Sequence, residues 1–333
     1  MTTRSFVGAF VPSEVIGANS SIWLLGGASD GMSCRLDRLN PESMAVTTHP
    51  LPRCGINITA GDGSIYLEAA VADVKNETYA IHVERFSVAD GRTTLDPSAA
   101  SVFLGSDIAH TQFEFADGWL WLFFDNEVLQ ISPTTGLVVR RFTSTINQGG
   151  AEPLIVGDDG DVWFAGGAGS GAQFLRIDVS SGATRTVTMP GEYASVYGLA
   201  TDAGRLLFLY LADGANSNAP ITTTLTNHIG EFSPSGRLIA TSRNEAVPSN
   251  IVGVSGGLYG VGPDGTCTST SLSVTVIDPV SLDDRVIASL TTPGTTCLGD
   301  GGYRPVATAG ADIFVLYATQ TAATLYRVTP HSD

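Results

Sequence analysis

The chain has 333 residues, too many for one ordinary compact core and suited to two domains or one set of repeats. No apolar run reaches the roughly 18 residues that cross a bilayer, which excludes membrane insertion by a helix. The formal net charge is −16, with 33 acidic residues against 17 basic and Lys75 the only lysine; this excludes a nucleic-acid partner, which needs clustered cations.

From the N-terminus, Met1 to Ser5 has no apolar stretch of a signal peptide behind it. The chain therefore reads as a cytosolic product or as the mature part of an exported one. Residues 5–11, from Ser5 to Val11, form an isolated alternating strand. After it, short runs rich in Val, Ile, Leu, Thr and aromatics alternate with Gly, Asp, Ser and Pro clusters, an all-β pattern without long helical stretches.

One signature then recurs seven times: a turn residue, an apolar residue and a large apolar or aromatic one. The pairs are Ile22-Trp23, Ile65-Tyr66, Leu120-Trp121, Val162-Trp163, Leu206-Leu207, Leu258-Tyr259 and Ile313-Phe314, spaced by 42 to 55 residues. That spacing is one four-stranded antiparallel blade with its loops. Dipeptides such as Asp62-Gly63 and Asp117-Gly118 supply the positive φ of tight hairpins. Downstream of each pair, segments such as Leu129 to Gly136, Arg176 to Gly182, Glu231 to Gly236 and Val276 to Pro279 read as the hairpin between third and fourth strands. The predicted blades cover about 14–51, 55–96, 108–143, 152–189, 194–243, 249–291 and 304–330. The last lacks an outer strand, because the chain ends three residues after Leu325 to Pro330. Residues 5–11 supply it. The expectation is a single all-β domain over 1–333: a seven-bladed β-propeller whose ring the N-terminal strand closes, with no exposed edge at the junction.

The blade rhythm, and the phrase Asn227 to Ile239 with its His228-Ile229-Gly230-Glu231-Phe232-Ser233-Pro234-Ser235-Gly236, resembles the propeller superfamily that includes the streptogramin B lyases. The resemblance implies the architecture. The lyases' activity needs a Glu-x-His pair on one strand, and none occurs here, so the resemblance argues against that chemistry. His228 reads as a strand or loop histidine.

The four cysteines are the most specific local signal. Cys34 and Cys54 lie in two loops around blade 1, and Cys267 and Cys297 lie in the same two loops around blade 6. Disulfides Cys34–Cys54 and Cys267–Cys297 would each contribute ~3 kcal/mol by closing loops of about 20 and 30 residues. Four reduced buried thiols are the alternative. Zinc is not expected, since no two cysteines have close-ligand spacing. Bridges imply an oxidising place, hence an extracellular or virion surface protein such as a phage tail component; reduced thiols would imply the cytoplasm.

Other motifs read as scaffold. Gly166 to Gly171 lacks a lysine and a following helix, so it is an inter-strand loop and not a phosphate cradle. Asp158-Asp159-Gly160-Asp161 is a hairpin turn, lacking the later glutamate of a calcium loop. Asn19-Ser20-Ser21, Asn57-Ile58-Thr59 and Asn76-Glu77-Thr78 fit the N-glycosylation pattern, a short motif common by chance.

The first residues of the inner strands line one mouth of the propeller channel. The candidates for ligand binding are Glu14, Asn57, His110, Glu152, Tyr197, Asn250 and Arg304, with His110, Gln112 and Glu114 alternating on one strand. A solvated polar lining without a ligand is the plainer reading of the same residues. The face carrying the cysteines also carries the longest loops, 97–107, 211–227, 261–273 and 291–304, and long loops on a rigid scaffold usually carry recognition. No activated nucleophile, cofactor motif or metal set is legible. The expected function is binding without chemistry, with a protein or glycan partner on the loop-rich face. The second reading is a lyase- or hydrolase-type enzyme with acid and base groups at the channel mouth.

Overall fold

A computed structural model describes the chain outside residues 8–9, 28–32, 56, 74–77, 90, 92, 104–110, 125–126, 145, 147–153, 159, 167–172, 190–192, 203–204, 213–225, 234, 243–249, 255–256, 264–270, 293–305, 320–321 and 331–333. The described residues form seven four-stranded antiparallel sheets, the blades of a β-propeller. They group into two compact units, Met1–Phe142 with Gly302–Asp333, and Thr143–Gly301.

In the first unit, the N-terminal strand is β1 (Thr2–Val7). Blade 1 comprises β2 (Val11–Ala18), β3 (Ser21–Gly27), β4 (Cys34–Leu39) and β5 (Val46–Pro50). Blade 2 comprises β6 (Asn57–Gly61), β7 (Ser64–Asp73), β8 (Thr78–Ser87) and β9 (Thr93–Phe103). Blade 3 comprises β10 (Gln112–Ala116), β11 (Trp119–Phe124), β12 (Glu127–Ile131) and β13 (Val138–Thr143). In the second unit, blade 4 comprises β14 (Leu154–Asp158), β15 (Asp161–Gly166), β16 (Gln173–Asp178) and β17 (Thr184–Thr188). Blade 5 comprises β18 (Tyr193–Asp202), β19 (Arg205–Ala212), β20 (Thr226–Phe232) and β21 (Leu238–Thr241). Blade 6 comprises β22 (Asn250–Val254), β23 (Gly257–Pro263), β24 (Ser271–Ile277) and β25 (Asp284–Thr291). Blade 7, back in the first unit, joins β26 (Val306–Ala309), β27 (Asp312–Ala318) and β28 (Ala322–Val328) to β1.

The N-terminal strand does supply the missing edge of blade 7, but in a different register from that expected over residues 5–11. Thr2 to Val7 pair with Arg327 to Ala322, and Val11 already belongs to the inner strand of blade 1. Phe10 lies against blade 1, its ring under the Arg35 guanidinium at 3.7 Å. Blade 2 also departs from expectation. Its outer strand continues past residue 96 to Phe103, so residues 97–103 are strand and not loop.

Burial follows strand order. The second strand of a blade is buried on both faces and accordingly apolar, as in Ser21–Gly27 and Asp312–Ala318. Outer strands such as Val138–Thr143 and Thr184–Thr188 are largely exposed. Apolar clusters form between successive blades: Val15, Leu24 and Phe314 between blades 7 and 1, Trp23, Ile58 and Phe86 between 1 and 2, and Tyr66, Phe113 and Leu122 between 2 and 3. In the second unit Trp163, Phe208 and Phe232 join blades 4 and 5, and Leu207, Ile251 and Leu282 join 5 and 6.

Turns hold the blades' shape. Both central residues of the first hairpins have positive φ at Asn19-Ser20, Asp62-Gly63 and Asp117-Gly118, the geometry that matches strand twist. The hairpin between third and fourth strands opens on a side chain that accepts backbone amides: Asn40 Oδ1 from Glu42 and Ser43, and Asp278 Oδ1 from Val280 and Ser281. Arginines of one blade then reach the carbonyls of the next blade's turn, Arg4 to Met44 at 2.6 Å, Arg185 to Ser235 at 2.7 Å and Arg205 to Pro279 at 3.2 Å. Arg4, Arg185 and Arg205 thus serve as clasps between blades.

Candidate functional site

The inner strands β2, β6 and β10 of the first unit belong to separate sheets, so their backbone edges do not form a ladder with each other and need side-chain partners. In the first unit those partners are polar residues at the strand starts. Glu14, on β2, is buried and its Oε2 accepts the Ile58 N–H at 3.0 Å. Thr59 Oγ1 accepts the Phe115 N–H at 2.9 Å and donates to Glu114 Oε1 at 3.0 Å. Three blades are stitched in this way from β2 to β6 to β10.

The stitching centres on Glu68. This residue lies opposite Asn57 across β6 and β7 and has no exposed surface. Its Oε2 accepts from Asn57 Nδ2 at 2.6 Å and from Thr111 Oγ1 at 3.0 Å. Asn57 Nδ2 also contacts the Thr111 carbonyl and hydroxyl, both at 3.2 Å. Glu68 Oε1 is buried without a hydrogen-bond partner. Burial pushes the Glu68 carboxyl up to about 7, against the opposing pull of its bonds from Asn57 and Thr111.

The segment leading into this cluster is pinned. Cys34 at the start of β4 is bonded to Cys54, with Cα atoms 5.0 Å apart, and Cys54 stands three residues before Asn57. The Leu51 N–H donates to the Cys34 carbonyl at 3.0 Å. Arg53 approaches the buried Glu84 to 3.9 Å, an ionic contact too long for a hydrogen bond. Burial raises the Glu84 carboxyl and Arg53 opposes the rise. Beside the disulfide, Arg35 stacks on Phe10 and pairs with the buried Asp37 at 3.0 Å.

Of the residues singled out from sequence, Glu14 and Asn57 belong to this cluster. Gln112 takes the same place in blade 3, opposite Phe123 as Asn57 is opposite Glu68. Counted back from the hairpin, the corresponding positions in the second unit are Leu154, Gly198 and Asn250, paired with Ala165, Leu209 and Val261. Asn250 is half-buried at the start of β22. Tyr197 falls at a register shift of β18 between Val196 and Gly198, where only its backbone is described. His110, Glu152, Arg304, Cys267 and Cys297 lie outside the described residues, as do residues 213–225, 264–270 and 293–305 of the long loops.

His228 is a strand residue on β20, its ring stacked on Tyr210 at 5.6 Å. Asp158 and Asp161 flank a hairpin, and Asp161 pairs with Arg176. Among the described residues no group of three or more His, Cys, Asp or Glu side chains could hold a metal ion, and no helix is long and apolar enough to cross a membrane.

Sequence reading passed over Glu68, though a signal was present. Two residues beyond the repeated pair, the blades carry Leu25, Glu68, Phe123, Ala165, Leu209, Val261 and Leu316, all buried. A carboxyl stands in a column that is otherwise apolar.

Seven four-stranded blades, the last of them joining β1 to β26, β27 and β28, define a β-propeller. Solved structures agree on that architecture. Kuenenia stuttgartiensis hydrazine synthase is similar at 10% identity and a TM-score of 0.65, over 98% of this chain and 97% of that one. The Pan2 WD40 domain of Neurospora crassa is similar at 11% identity and 0.57, over 98% and 91%. BamB from Moraxella catarrhalis is similar at 11% identity and 0.50, over 98% and 100%. At such identities the likeness is one of fold alone. No protein-family model matches the sequence, and no curated protein matches it.

Proposed function

We propose that the chain is a binding propeller, a single domain that holds a protein or glycan partner on the face where its inner strands begin. The observation that carries this reading is the pinning of that face. The Cys34–Cys54 bond fixes the segment entering β6, three residues before the Asn57–Glu68–Thr111 cluster. A surface ordered before contact loses less entropy on binding. The acidic balance favours neutral partners such as glycans, or proteins with a basic patch. The disulfide favours an oxidising setting, outside the cell or on a virion.

The enzyme reading has one observation of its own, a carboxyl held near neutrality. Yet Glu68 is fully enclosed, and its described bonds go to Asn57 and Thr111, so it positions strands and does not reach a substrate. The test compares wild type with a variant whose residues 214–224 are replaced by a Gly-Ser linker, and with His110→Ala and Glu152→Ala. Binding is read on a glycan array and turnover against lyase and hydrolase substrates. Loss of glycan binding in the linker variant, with no turnover in any protein, supports binding. Turnover abolished by His110→Ala or Glu152→Ala, with binding intact in the linker variant, overturns it.

A further inference from the structure

Glu68 breaks the rule of its own repeat. Leu25, Phe123, Ala165, Leu209, Val261 and Leu316 fill the equivalent place with buried apolar side chains, and the surroundings of Glu68 are built to the same plan. Across β8 its partner is Val83. The charged or titratable neighbours of Val83, His82 and Glu84, alternate to the opposite face of that strand. From β6 it meets the amide of Asn57, and from the segment before β10 the hydroxyl of Thr111. The acids on the stitched edge are Glu14 of β2, bonded to the Ile58 amide, and Glu114 of β10, bonded to the Thr59 hydroxyl. Among the described residues no cation pairs with Glu68. The carboxyl is therefore held by neutral donors on one oxygen, with the other enclosed and unpartnered.

Such a site treats the two protonation states unequally. The neutral acid occupies an apolar place at modest cost. The carboxylate needs more solvation than two neutral donors give, and among the described residues no counter-charge stands beside it. The same carboxyl is the joint between blades 2 and 3, because both of its bonds run to residues at the start of their inner strands.

We propose that Glu68 is a proton-operated latch: as a neutral acid it holds Asn57 and Thr111 together, and as a carboxylate it leaves the core and lets the two strand starts part. The step releases one proton to solvent and breaks only hydrogen bonds. It does not depend on what the propeller binds. Its direction follows from the raised carboxyl. The stability this group contributes is fully present below the unfolded value of 4.5 and is lost as pH rises through about 7. A rise from 4.5 to about 7 makes the folded acid roughly 300-fold weaker than the free one. His49 acts in the opposite sense: burial and then Arg38 lower its pKa, so its contribution is lost as pH falls. A neutral replacement of Glu68 separates the two.

The experiment measures amide hydrogen exchange of Ile58, Thr59 and Phe115, with thermal melting, from pH 5 to pH 8.5 in wild type and Glu68→Gln. Exchange is corrected for its intrinsic tenfold rise per pH unit. In wild type, protection of these amides is expected to fall at least tenfold between pH 5.5 and 8.5. In Glu68→Gln it stays level, and at pH 8.5 the variant melts above wild type. Equal pH profiles in the two proteins overturn the latch. Should Glu68→Gln fail to fold, infrared spectroscopy of the wild type decides the matter. A protonated carboxyl band that persists at pH 6 and vanishes by pH 8.5, and is missing in Glu68→Leu, supports the latch. Its absence from wild type at pH 6 overturns it.

Discussion

Adding one methyl group at Gly17 tests how closely blade 1 lies against blade 7. A Cβ at this position would stand 1.8 Å from the Thr308 carbonyl oxygen and 2.9 Å from its carbon. Carbon and oxygen in favourable contact keep about 3.3 Å, so β26 would have to retreat by roughly 1.5 Å. Nothing flexible can give way, because the obstacle is backbone already paired with β27 from Val306 to Ala309. Overpacking commonly costs about 1–3 kcal/mol, and a backbone obstacle places Gly17→Ala at ~3 kcal/mol or above. For a unit of this size that corresponds to a fall in Tm of roughly 6–12 °C. Gly253 is the matched control, one residue before the end of its inner strand as Gly17 is of β2. Its added Cβ would meet only the Thr201 carbonyl oxygen, at 3.5 Å. Gly253→Ala should therefore hold or gain up to ~1 kcal/mol through the less flexible unfolded chain. Calorimetry of the two variants checks the pair. A Gly17→Ala protein within about 2 °C of wild type, or equal losses in both, would refute the packing argument.

Other outcomes follow from the same structure. Leu282 takes a left-handed conformation, φ 60°, at a turn position where Gly136, Gly182 and Gly236 stand in other blades. Leu282→Gly relieves about 1 kcal/mol of backbone cost but removes a fully buried side chain worth ~3 kcal/mol, so chemical denaturation should show a net loss near 2 kcal/mol. Peptide mapping without reductant should recover Cys34 joined to Cys54, and Cys34→Ser with Cys54→Ser should lower stability by ~3 kcal/mol. Deleting residues 1–7 strips β28 of its partner and exposes the face that Phe6 covers. Light scattering should then show self-association through the bare edge, together with a lower melting temperature.

The blades were legible because two physical demands leave marks in sequence. A second strand packed on both faces must be apolar throughout, and a two-residue hairpin must reach positive φ. What stayed hidden broke one of those marks. Pro97 read as the start of a loop, yet β9 runs through it to Phe103. The strand is the outer edge of its sheet, where a residue without an N–H is tolerated. Met44 and Leu282 occupy left-handed turn positions without being glycine, so composition did not betray them. Both side chains are instead buried between blades, and that packing offsets the backbone cost. The register of β1 was misjudged because Phe10 and Val11 continue its apolar rhythm. The pairing of β1 ends at Val7, and Phe10 is held by Arg35 from a different strand.

The polar cluster was half legible for a related reason. Bulges between Pro12 and Glu14 and between Val196 and Gly198 displace residues from a regular strand count. Glu14 and Asn57, read from sequence as candidates for ligand binding, sit in the cluster as strand-joining groups. Gln112, which the count placed within its strand, is the first residue of β10. Glu68 needed a different comparison, down a column of equivalent positions in place of along one strand. The geometry then explains why polar residues gather there. The inner strands β2, β6 and β10 belong to separate sheets, the N–H groups of Ile58 and Phe115 are left without a ladder, and Glu14 and Thr59 accept from them. Those two bonds satisfy obligatory backbone donors. Glu68 satisfies no backbone donor. Leucine, present at Leu25 and Leu209, would fill its place with apolar contacts and no titrating group. The architecture thus accounts for Glu14 and Thr59 but not for a carboxyl at position 68, and that residue is where a search for this propeller's particular function should begin.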